Sequence, residues 1–192
     1  MDKGHTQTQT PKMKPEPDSH EHQRTNNAND FARAIVNEYQ GPLTRYATRL
    51  LGDADRARDV VQDTFVRLME RPIGEVDGHL AEWLFTVCRH RALDILRKEA
   101  RMSRFDEGQA ERVAADAPRP GSDLEHEETH AAMLRLIDAL PASQQEVIRL
   151  KFQNGFSYKE ISRITNLSIN HVGVLIHNAV QRLRADFAAQ KS

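Results

Sequence analysis

Residues 155–184, with the sequence GFSYKEISRITNLSINHVGVLIHNAVQRLR, predict two helices joined by a tight turn. Ser157, followed three residues later by Glu160, is a capping box that predicts the start of the first helix. The turn is centred on Asn166, a residue type that accepts a left-handed backbone. Ser168 can cap the second helix. The apolar positions of that helix recur every three or four residues: Val172, Leu175, Ile176, Ala179 and Leu183.

A short helix, a three-residue turn and a second helix form the helix-turn-helix arrangement, which places its second helix in the major groove of DNA. The same pattern also fits an ordinary helical hairpin inside a bundle. The choice between these two interpretations depends on the rest of the chain.

The composition favours a globular protein that works in a reducing compartment. Of the 192 residues, 39% are hydrophobic and 29% are charged, and no apolar run reaches the ~20 residues of a membrane span. The N-terminus lacks the apolar core of a signal peptide. The single cysteine, Cys88, lies in an apolar helical pattern and is expected to pack in a core. We therefore expect a cytoplasmic protein with no membrane insertion.

The charge distribution is uneven although the formal net charge is only −1. Residues 86–104 hold six Lys and Arg residues against two acids, whereas acids dominate residues 106–128. The low net charge argues against a non-specific nucleic-acid coat. Any DNA binding must instead use local basic patches.

Periodicity and composition predict an all-α protein with two small helical domains joined by a flexible linker. Residues 1–29 are polar and predict a disordered tail. Residues 30–104 form the first domain and residues 125–188 the second, and we expect four helices in each. Between them, residues 105–124 are rich in Pro and Gly and predict the linker.

Several boundaries follow from breakers and caps. Gly41 and Pro42 predict a break between two short helices, and Asp53 or Asp55 can cap the next one. In the second domain, Ser143 and Glu146 form another potential capping box. The helix that follows is expected to bury Val147, Ile148 and Phe152.

Two helical faces of the first domain are candidates for function. Asp59, Gln62 and Asp63 share one polar face, which is either simply solvated or a docking surface for a basic partner helix. The next helix carries a basic stripe that could contact phosphates. The stripe comprises His90, Asp94, Arg97, Lys98 and Arg101, with Arg89 and Arg91 beside it. Trp83 and Phe85 lie earlier in this helix and either stack on bases or pack in the core.

Three stretches together resemble the extracytoplasmic-function (ECF) sigma factors of bacterial RNA polymerase, which belong to the sigma-70 family. They are DRARDVVQDTFVRLME at 55–70, HLAEWLFTVCRHRALDILRKEAR at 79–101 and ALPASQQEVIRLKFQNGFSYKEISRITNLSINHVG at 139–173. The resemblance implies that the first domain is region 2, which binds the polymerase β′ subunit and recognises and melts the promoter −10 element. It implies that the second domain is region 4, which binds the −35 element and the β subunit.

The resemblance also assigns residues. The core-polymerase contact would comprise Asp59, Gln62 and Asp63. The −10 DNA contact would comprise Arg89, His90, Asp94, Arg97, Lys98 and Arg101, and the loop at residues 72–78 would capture a flipped base. The chain departs from the family at Arg58, His90, Gly173, Leu175 and Asn178. With the usual basic residues missing, the expected −35 contacts are Asn170, His171, Val174, His177, Arg182 and Arg184.

The implied partners are core RNA polymerase, promoter DNA and an anti-sigma factor, and neither a cofactor nor an enzymatic activity is expected. The chain contains no GxxxxGK[ST] motif, so DNA opening would be driven by binding energy. One alternative is a helix-turn-helix regulator that acts without core polymerase. A second alternative is a zinc protease, because residues 126–130 read HEETH. No third ligand is evident, however, and acids suit a helix N-terminus, so this alternative is rejected.

Overall fold

The computed structural model describes residues 19–71, 78–102 and 124–190, and this part of the chain is helical without a strand. The helices are α1 (Ser19–Leu51), α2 (Ala54–Met69), α3 (Leu80–Met102), α4 (Leu124–Asp138), α5 (Ala142–Phe152), α6 (Tyr158–Thr165) and α7 (Ile169–Gln190). The all-α prediction is therefore confirmed. Residues 103–123, which include nearly all of the predicted linker, lie outside the described residues.

Helices α1, α2 and α3 pack against one another as the first domain. Asp53 caps α2, because its Oδ1 accepts hydrogen bonds from the backbone N–H groups of Asp55 and Arg56 at 2.8 and 3.1 Å. This confirms one of the two predicted caps. The core of the domain is fully shielded from solvent at its centre. It includes Leu43, Ala47, Ala57, Val60, Leu84, Phe85 and Cys88.

The predicted break at Pro42 is wrong, because α1 continues through this residue as one helix. A proline inside a helix removes a backbone hydrogen bond and costs about 3 kcal/mol. The apolar stripe nevertheless keeps its phase across the proline, with Ile35 before it and Leu43 and Tyr46 after it, all buried. Burial of this continuous face against α2 and α3 offsets the lost bond, so the described residues of the first domain form three helices rather than four.

The predicted tail also differs from the structure. Helix α1 begins at Ser19, so residues 19–29 are helical instead of forming the end of a disordered tail. Once a helix is nucleated, each further residue adds a backbone hydrogen bond at little cost. Residues 1–18 lie outside the described residues.

The second domain consists of α4 to α7, and its helix-turn-helix signals are confirmed. The Ser157 backbone N–H donates to Glu160 Oε2 at 2.7 Å, and the Glu160 N–H donates back to Ser157 Oγ at 3.3 Å. Asn166 closes α6 in the left-handed conformation, with φ 58° and ψ 33°. Ser168 Oγ accepts the N–H of His171 at 3.2 Å and caps α7.

Two expectations for α5 are wrong. Its N-cap is Pro141, and Glu146 does not close a capping box with Ser143, since its carboxylate accepts hydrogen bonds from the first domain. Phe152 is 64% exposed rather than buried. It is the last residue of α5, and Phe156, just beyond the turn, occupies the core instead.

The two domains pack together through α3 and α6. Phe85 lies at the centre of the contact, with the ring of Phe156 edge-on at 5.0 Å and the ring of Tyr46 at 5.2 Å between centroids. The apolar core is therefore continuous from the first domain into the second. Among the described residues, no helix is long and apolar enough to cross a membrane.

Candidate nucleic-acid interface

The predicted docking face lies on the outer side of α2, opposite the buried residues Val60 and Val61. Asp59 and Gln62 are exposed to solvent. Asp63 is half-buried because its Oδ2 accepts a hydrogen bond from Arg91 Nε of α3 at 2.9 Å. The structure therefore brings the three predicted residues together, and it ties one of them to the neighbouring helix.

Two apolar residues extend this face, and the sequence interpretation missed them. Val66 and Met69 follow Gln62 by one and two helical turns, and each is 50% exposed. Polar and apolar side chains that share one open helix face can serve as a protein-binding surface. The sequence contained a signal for Val66, which does not fit the buried spacing set by Val61, Phe65 and Leu68. Met69 lies four residues after Phe65 and fits that spacing, so its exposure was not evident from the sequence. We call Asp59, Gln62, Asp63, Val66 and Met69 the α2 face.

The basic stripe lies on the exposed side of α3. His90, Asp94, Arg97, Lys98 and Arg101 are all solvent-exposed. Arg97 Nη1 contacts Asp94 Oδ1 at 3.2 Å, which holds this guanidinium along the helix. Arg101 Nε donates weakly to the Arg97 carbonyl at 3.4 Å. Arg97, Lys98 and Arg101 therefore form a cationic row near the C-terminal end of α3 that can face a phosphate backbone.

Arg89 differs from the other predicted −10 residues. Its side chain is only 16% exposed, and its Nε donates to Glu146 Oε1 of α5 at 2.8 Å. Hydrogen bonding to Glu146 raises the pKa of Arg89 against the opposing effect of burial. In this conformation Arg89 is a contact between the domains and not part of the open stripe.

The two aromatic candidates on α3 also separate. Phe85 is 2% exposed and belongs to the core, so it cannot stack on a base. Trp83 is partly buried against the core, and the guanidinium of Arg71 lies 4.8 Å from the centre of its ring. Of the loop at residues 72–78, which was predicted to capture a flipped base, residues 72–77 lie outside the described residues.

Helix α7 presents its predicted DNA-facing residues to solvent. Val172, Ile176 and Ala179 are buried against the rest of the domain, and the opposite side of the helix is open. The exposed residues include all six predicted ones: Asn170, His171, Val174, His177, Arg182 and Arg184. Val174 is 57% exposed. An apolar group in this position can contact a thymine methyl in the major groove.

The turn before α7 is fixed by a side chain of α6. Ser162 Oγ donates to the carbonyl of Leu167 at 2.5 Å, so the hydroxyl satisfies a backbone acceptor between the two helices. Tyr158, at the start of α6, lies beside Gly173 of α7. These contacts fix how α7 projects from the domain, which is what a recognition helix requires.

Among the described residues, the structure shows neither a reactive thiol nor a metal site. Cys88 is fully buried, and burial raises the pKa of its thiol to about 12, so it stays protonated and packs as an apolar residue. In the described part of the chain, no group of three or more His, Cys, Asp or Glu residues could hold a metal ion. The HEETH segment lies in the first turns of α4, and its side chains are outside the described residues.

Two known protein families match the chain, one in each half. The family described as sigma-70 region 2 matches residues 35–102, and the family described as sigma-70 region 4 matches residues 130–183. The first range covers the second half of α1 together with α2 and α3, and the second covers most of the stretch from α4 to α7, including the helix-turn-helix. The two matches occur in the same order as in the predicted domain arrangement.

The individual proteins that this chain resembles are also sigma factors. The ECF RNA polymerase sigma factor SigL of Mycobacterium tuberculosis is 33% identical over 159 residues, which cover 79% of this chain and 86% of SigL. The ECF RNA polymerase sigma factor EcfG of Rhodopseudomonas palustris is 31% identical over 144 residues, or 74% and 77% of the two chains. A solved structure of the sigma factor RpoE in complex with the anti-sigma factor NepR from Bartonella quintana is 26% identical. It has a TM-score of 0.64 and covers 81% of this chain and 95% of that one.

Proposed function

The chain belongs to the ECF sigma factors of bacterial RNA polymerase, and we propose that its two domains carry out separate parts of promoter recognition. In this proposal the first domain, α1–α3, binds core polymerase and the −10 element, and the second, α4–α7, binds the −35 element. The presence of both sigma-70 regions in one chain supports this division. The protein catalyses no reaction by itself and works where RNA polymerase works, in the cytoplasm.

The α2 face is the proposed contact with the β′ subunit. Asp59 and Gln62 project into solvent, and Val66 and Met69 add apolar area beside them. A basic helix of the partner would find carboxylates for its cations and apolar groups for its side-chain stems. Region 4 is expected to contact the β subunit as well.

The basic stripe of α3 is the proposed −10 contact. Arg97, Lys98 and Arg101 supply phosphate contacts, and His90 can donate a hydrogen bond to a base or a phosphate. Separating the DNA strands costs a few kcal/mol for each base that leaves the stack. Contacts that form only with the separated strand, such as hydrogen bonds to exposed base edges, would offset this cost without nucleotide hydrolysis.

The exposed side of α7 is the proposed −35 contact. Asn170 and His171 in the first turn, then Val174 and His177, lie where a recognition helix meets base edges. Arg182 and Arg184 lie further along and suit phosphate contacts. A recognition surface with few cations near the groove floor relies more on apolar contacts and DNA shape than on charge.

An anti-sigma factor is the further proposed partner. The solved RpoE structure in complex with NepR shares its fold with most of this chain. A protein that holds both domains together would keep the two DNA-binding surfaces from reaching their elements at the same time.

The observation that carries the proposal is the exposure of three separate polar surfaces, on α2, α3 and α7, in a chain that contains both sigma-70 regions. A helix-turn-helix regulator that acts alone does not need the first domain and is not favoured. The test is run-off transcription with purified core polymerase on a library of genomic fragments. Transcripts that start at defined sites and depend on the protein would support the proposal, and DNA binding without transcription would favour the lone regulator.

A further inference from the structure

An open cavity of about 250 Å³ lies between α1 and the C-terminal end of α5. Arg45 and Arg49 of α1 line one wall. Arg149 of α5 lines the other, together with the amides of Gln153 and Asn154 at the turn that follows this helix. None of the described residues that line the cavity is acidic. The cavity therefore brings together three arginines, two from the first domain and one from the second.

A carboxylate beside the cavity is shared by two of these arginines. Asp138 Oδ1 accepts hydrogen bonds from Arg49 Nη1 at 3.2 Å and from Arg149 Nη2 at 2.5 Å. The Asp138 side chain is 52% exposed, whereas that of Arg149 is 4% exposed. With Arg45 included, these four side chains carry three positive charges and one negative charge, a formal sum of +2. The cluster is therefore electropositive even when its ion pairs are formed.

The arrangement is unfavourable for the protein alone. Arg45 and Arg49 are one helical turn apart, and like charges at this spacing repel each other. Arg149 is removed from water, which is costly for a guanidinium. The C-terminal end of α5 carries only a partial negative charge, and the Arg149 carbonyl already accepts the N–H of Gln153 at 2.9 Å and Asn154 Nδ2 at 3.1 Å. A bound anion would relieve the repulsion among the three cations.

The size of the cavity and the kind of cation indicate the ligand. Sites for drug-sized molecules occupy roughly 300–1,000 Å³, so this cavity suits a smaller group. Guanidinium groups bind phosphate oxygens in pairs through their fork of N–H donors. A diphosphate has two phosphoryl groups, so one can contact the arginines of α1 while the other contacts Arg149. Orthophosphate has only one such group and would satisfy one wall.

We propose that the cavity between α1 and α5 is a binding site for a diphosphate group, either inorganic diphosphate or the diphosphate of a nucleotide, which bridges Arg45 and Arg49 to Arg149. The site lies apart from the α2 face, the basic stripe and the exposed side of α7. The inference therefore does not rest on the proposed roles of those surfaces in transcription.

Isothermal titration calorimetry of the full-length protein tests the site, with inorganic diphosphate as the ligand in buffer without Mg²⁺ and at constant ionic strength. We expect one diphosphate per chain and an affinity about tenfold higher than that of orthophosphate, because only diphosphate reaches both walls. Absence of diphosphate binding at millimolar concentration would overturn the site. Equal affinities for the two anions would overturn the bridging geometry.

Two substitutions locate the bound anion. Arg45→Gln removes an exposed guanidinium from one wall, and Gln153→Glu adds a carboxylate beside Arg149 on the other. The matched controls are Arg33→Gln on α1 and Gln181→Glu on α7, both at exposed positions outside the cavity. We expect about a tenfold loss of diphosphate affinity in each cavity variant and less than about a twofold change in each control. Thermal melts without ligand show whether each variant is folded. Equal losses in the cavity variants and the controls would overturn the proposal.

A further variant distinguishes the cavity from the basic stripe. Replacing Arg97 and Lys98 together with Ala should leave diphosphate affinity unchanged, and a loss would place the anion on the stripe and overturn the cavity site. Titration with ADP identifies the source of the diphosphate group. An affinity equal to or higher than that of inorganic diphosphate supports a nucleotide ligand, and a tenfold lower affinity supports inorganic diphosphate. These measurements use neither core polymerase nor promoter DNA, so their failure is distinct from a failure of the proposed function.

Discussion

Arg91 of α3 holds Asp63 of α2 through one oxygen, with its Nε 2.9 Å and its Nη2 2.8 Å from Asp63 Oδ2. Both side chains remain about half exposed, so the pair is worth less than about 1 kcal/mol. The contact nevertheless links the α2 face to the helix that carries the basic stripe. Of the two acids on that face, Asp63 is therefore part of the helix packing, and Asp59 is the one fully presented to a partner.

Substitution at Asp59 should separate docking from folding. Asp59→Arg reverses a fully presented charge, and we expect at least a tenfold loss of affinity for core polymerase with an unchanged melting temperature. Asp63→Asn should lower stability by less than about 1 kcal/mol and weaken core binding less. Fluorescence anisotropy with labelled protein measures the affinity. Glu38→Arg reverses an exposed acid on α1 and is the control; an equal loss in that variant would remove the special role of the α2 face.

The basic stripe should control promoter opening. Replacing Arg97 and Lys98 together with Ala removes two phosphate contacts, and we expect weaker opening with a salt slope flatter by about 1.4 on single strands. Permanganate footprints on a promoter that the holoenzyme transcribes measure the melted bases. Replacing Arg33 and Arg67, two exposed cations outside the stripe, is the control. Equal melting by the stripe variant and this control would show that α3 does not contact the −10 strand.

Local signals in the sequence predicted the helix-turn-helix of the second domain well. Asn166 and the pairing of Ser157 with Glu160 act within a few residues, so their backbone consequences can be read without knowledge of the tertiary fold. Buried and exposed positions of α7 followed from spacing for the same reason. The boundaries of α6 and the exposed positions of α7 needed only local rules.

Long-range contacts account for the errors at Glu146 and Pro42 and for the unexpected partner of Arg89. Arg89 and Glu146 are 57 residues apart, and no periodicity indicates that a residue of the basic helix binds a carboxylate of the other domain. Glu146 fitted a local cap equally well on sequence alone. At Pro42, the local rule predicted a break, but packing of the residues on both sides outweighed it. The structure differs from the sequence interpretation at Glu146 because this side chain could bind either a local partner, Ser143, or a distant one, Arg89.

Gly173 offers a way to stabilise α7. Glycine in a helix interior costs roughly 0.5–1 kcal/mol relative to alanine, and a Cβ at this position would lie 3.8 Å from Tyr158 Cε2, an ordinary contact. We therefore expect Gly173→Ala to raise the free energy of unfolding by about that amount in urea titrations. Gly155→Ala is the contrasting variant, because Gly155 has φ of 76° and an alanine there is strained. A loss of stability in Gly173→Ala would mean that Tyr158 cannot accommodate the methyl group.

The capping box of α6 should make stability depend on acid pH. Hydrogen bonds from Ser157 lower the pKa of Glu160 from its ordinary value of 4.5. A lowered folded-state pKa means that the stabilisation is present above pH 4.5 and is lost as the pH falls through the folded value. Glu160→Gln keeps an acceptor for the Ser157 N–H but does not titrate. Thermal melts between about pH 5 and pH 3 should show a smaller decline for this variant, and an identical decline would exclude a contribution from Glu160.

Recognition of the −35 element should depend on an apolar side chain more than on charge at the start of α7. Val174 is exposed on the side of the helix opposite the buried Val172 and Ile176, and a thymine methyl is the group that would favour its burial. We expect Val174→Ala to reduce discrimination between the −35 element and a mutated element by about 1 kcal/mol, with an unchanged salt slope. Arg182→Ala should instead weaken binding to both elements and flatten the slope by about 0.9. Competition binding of holoenzyme to matched promoters at two salt concentrations separates these effects, because base readout changes the ratio and phosphate contact changes the slope. If Val174→Ala leaves the ratio unchanged, Val174 does not read the element, and specificity must come from Asn170, His171 or His177 or from the shape of the DNA.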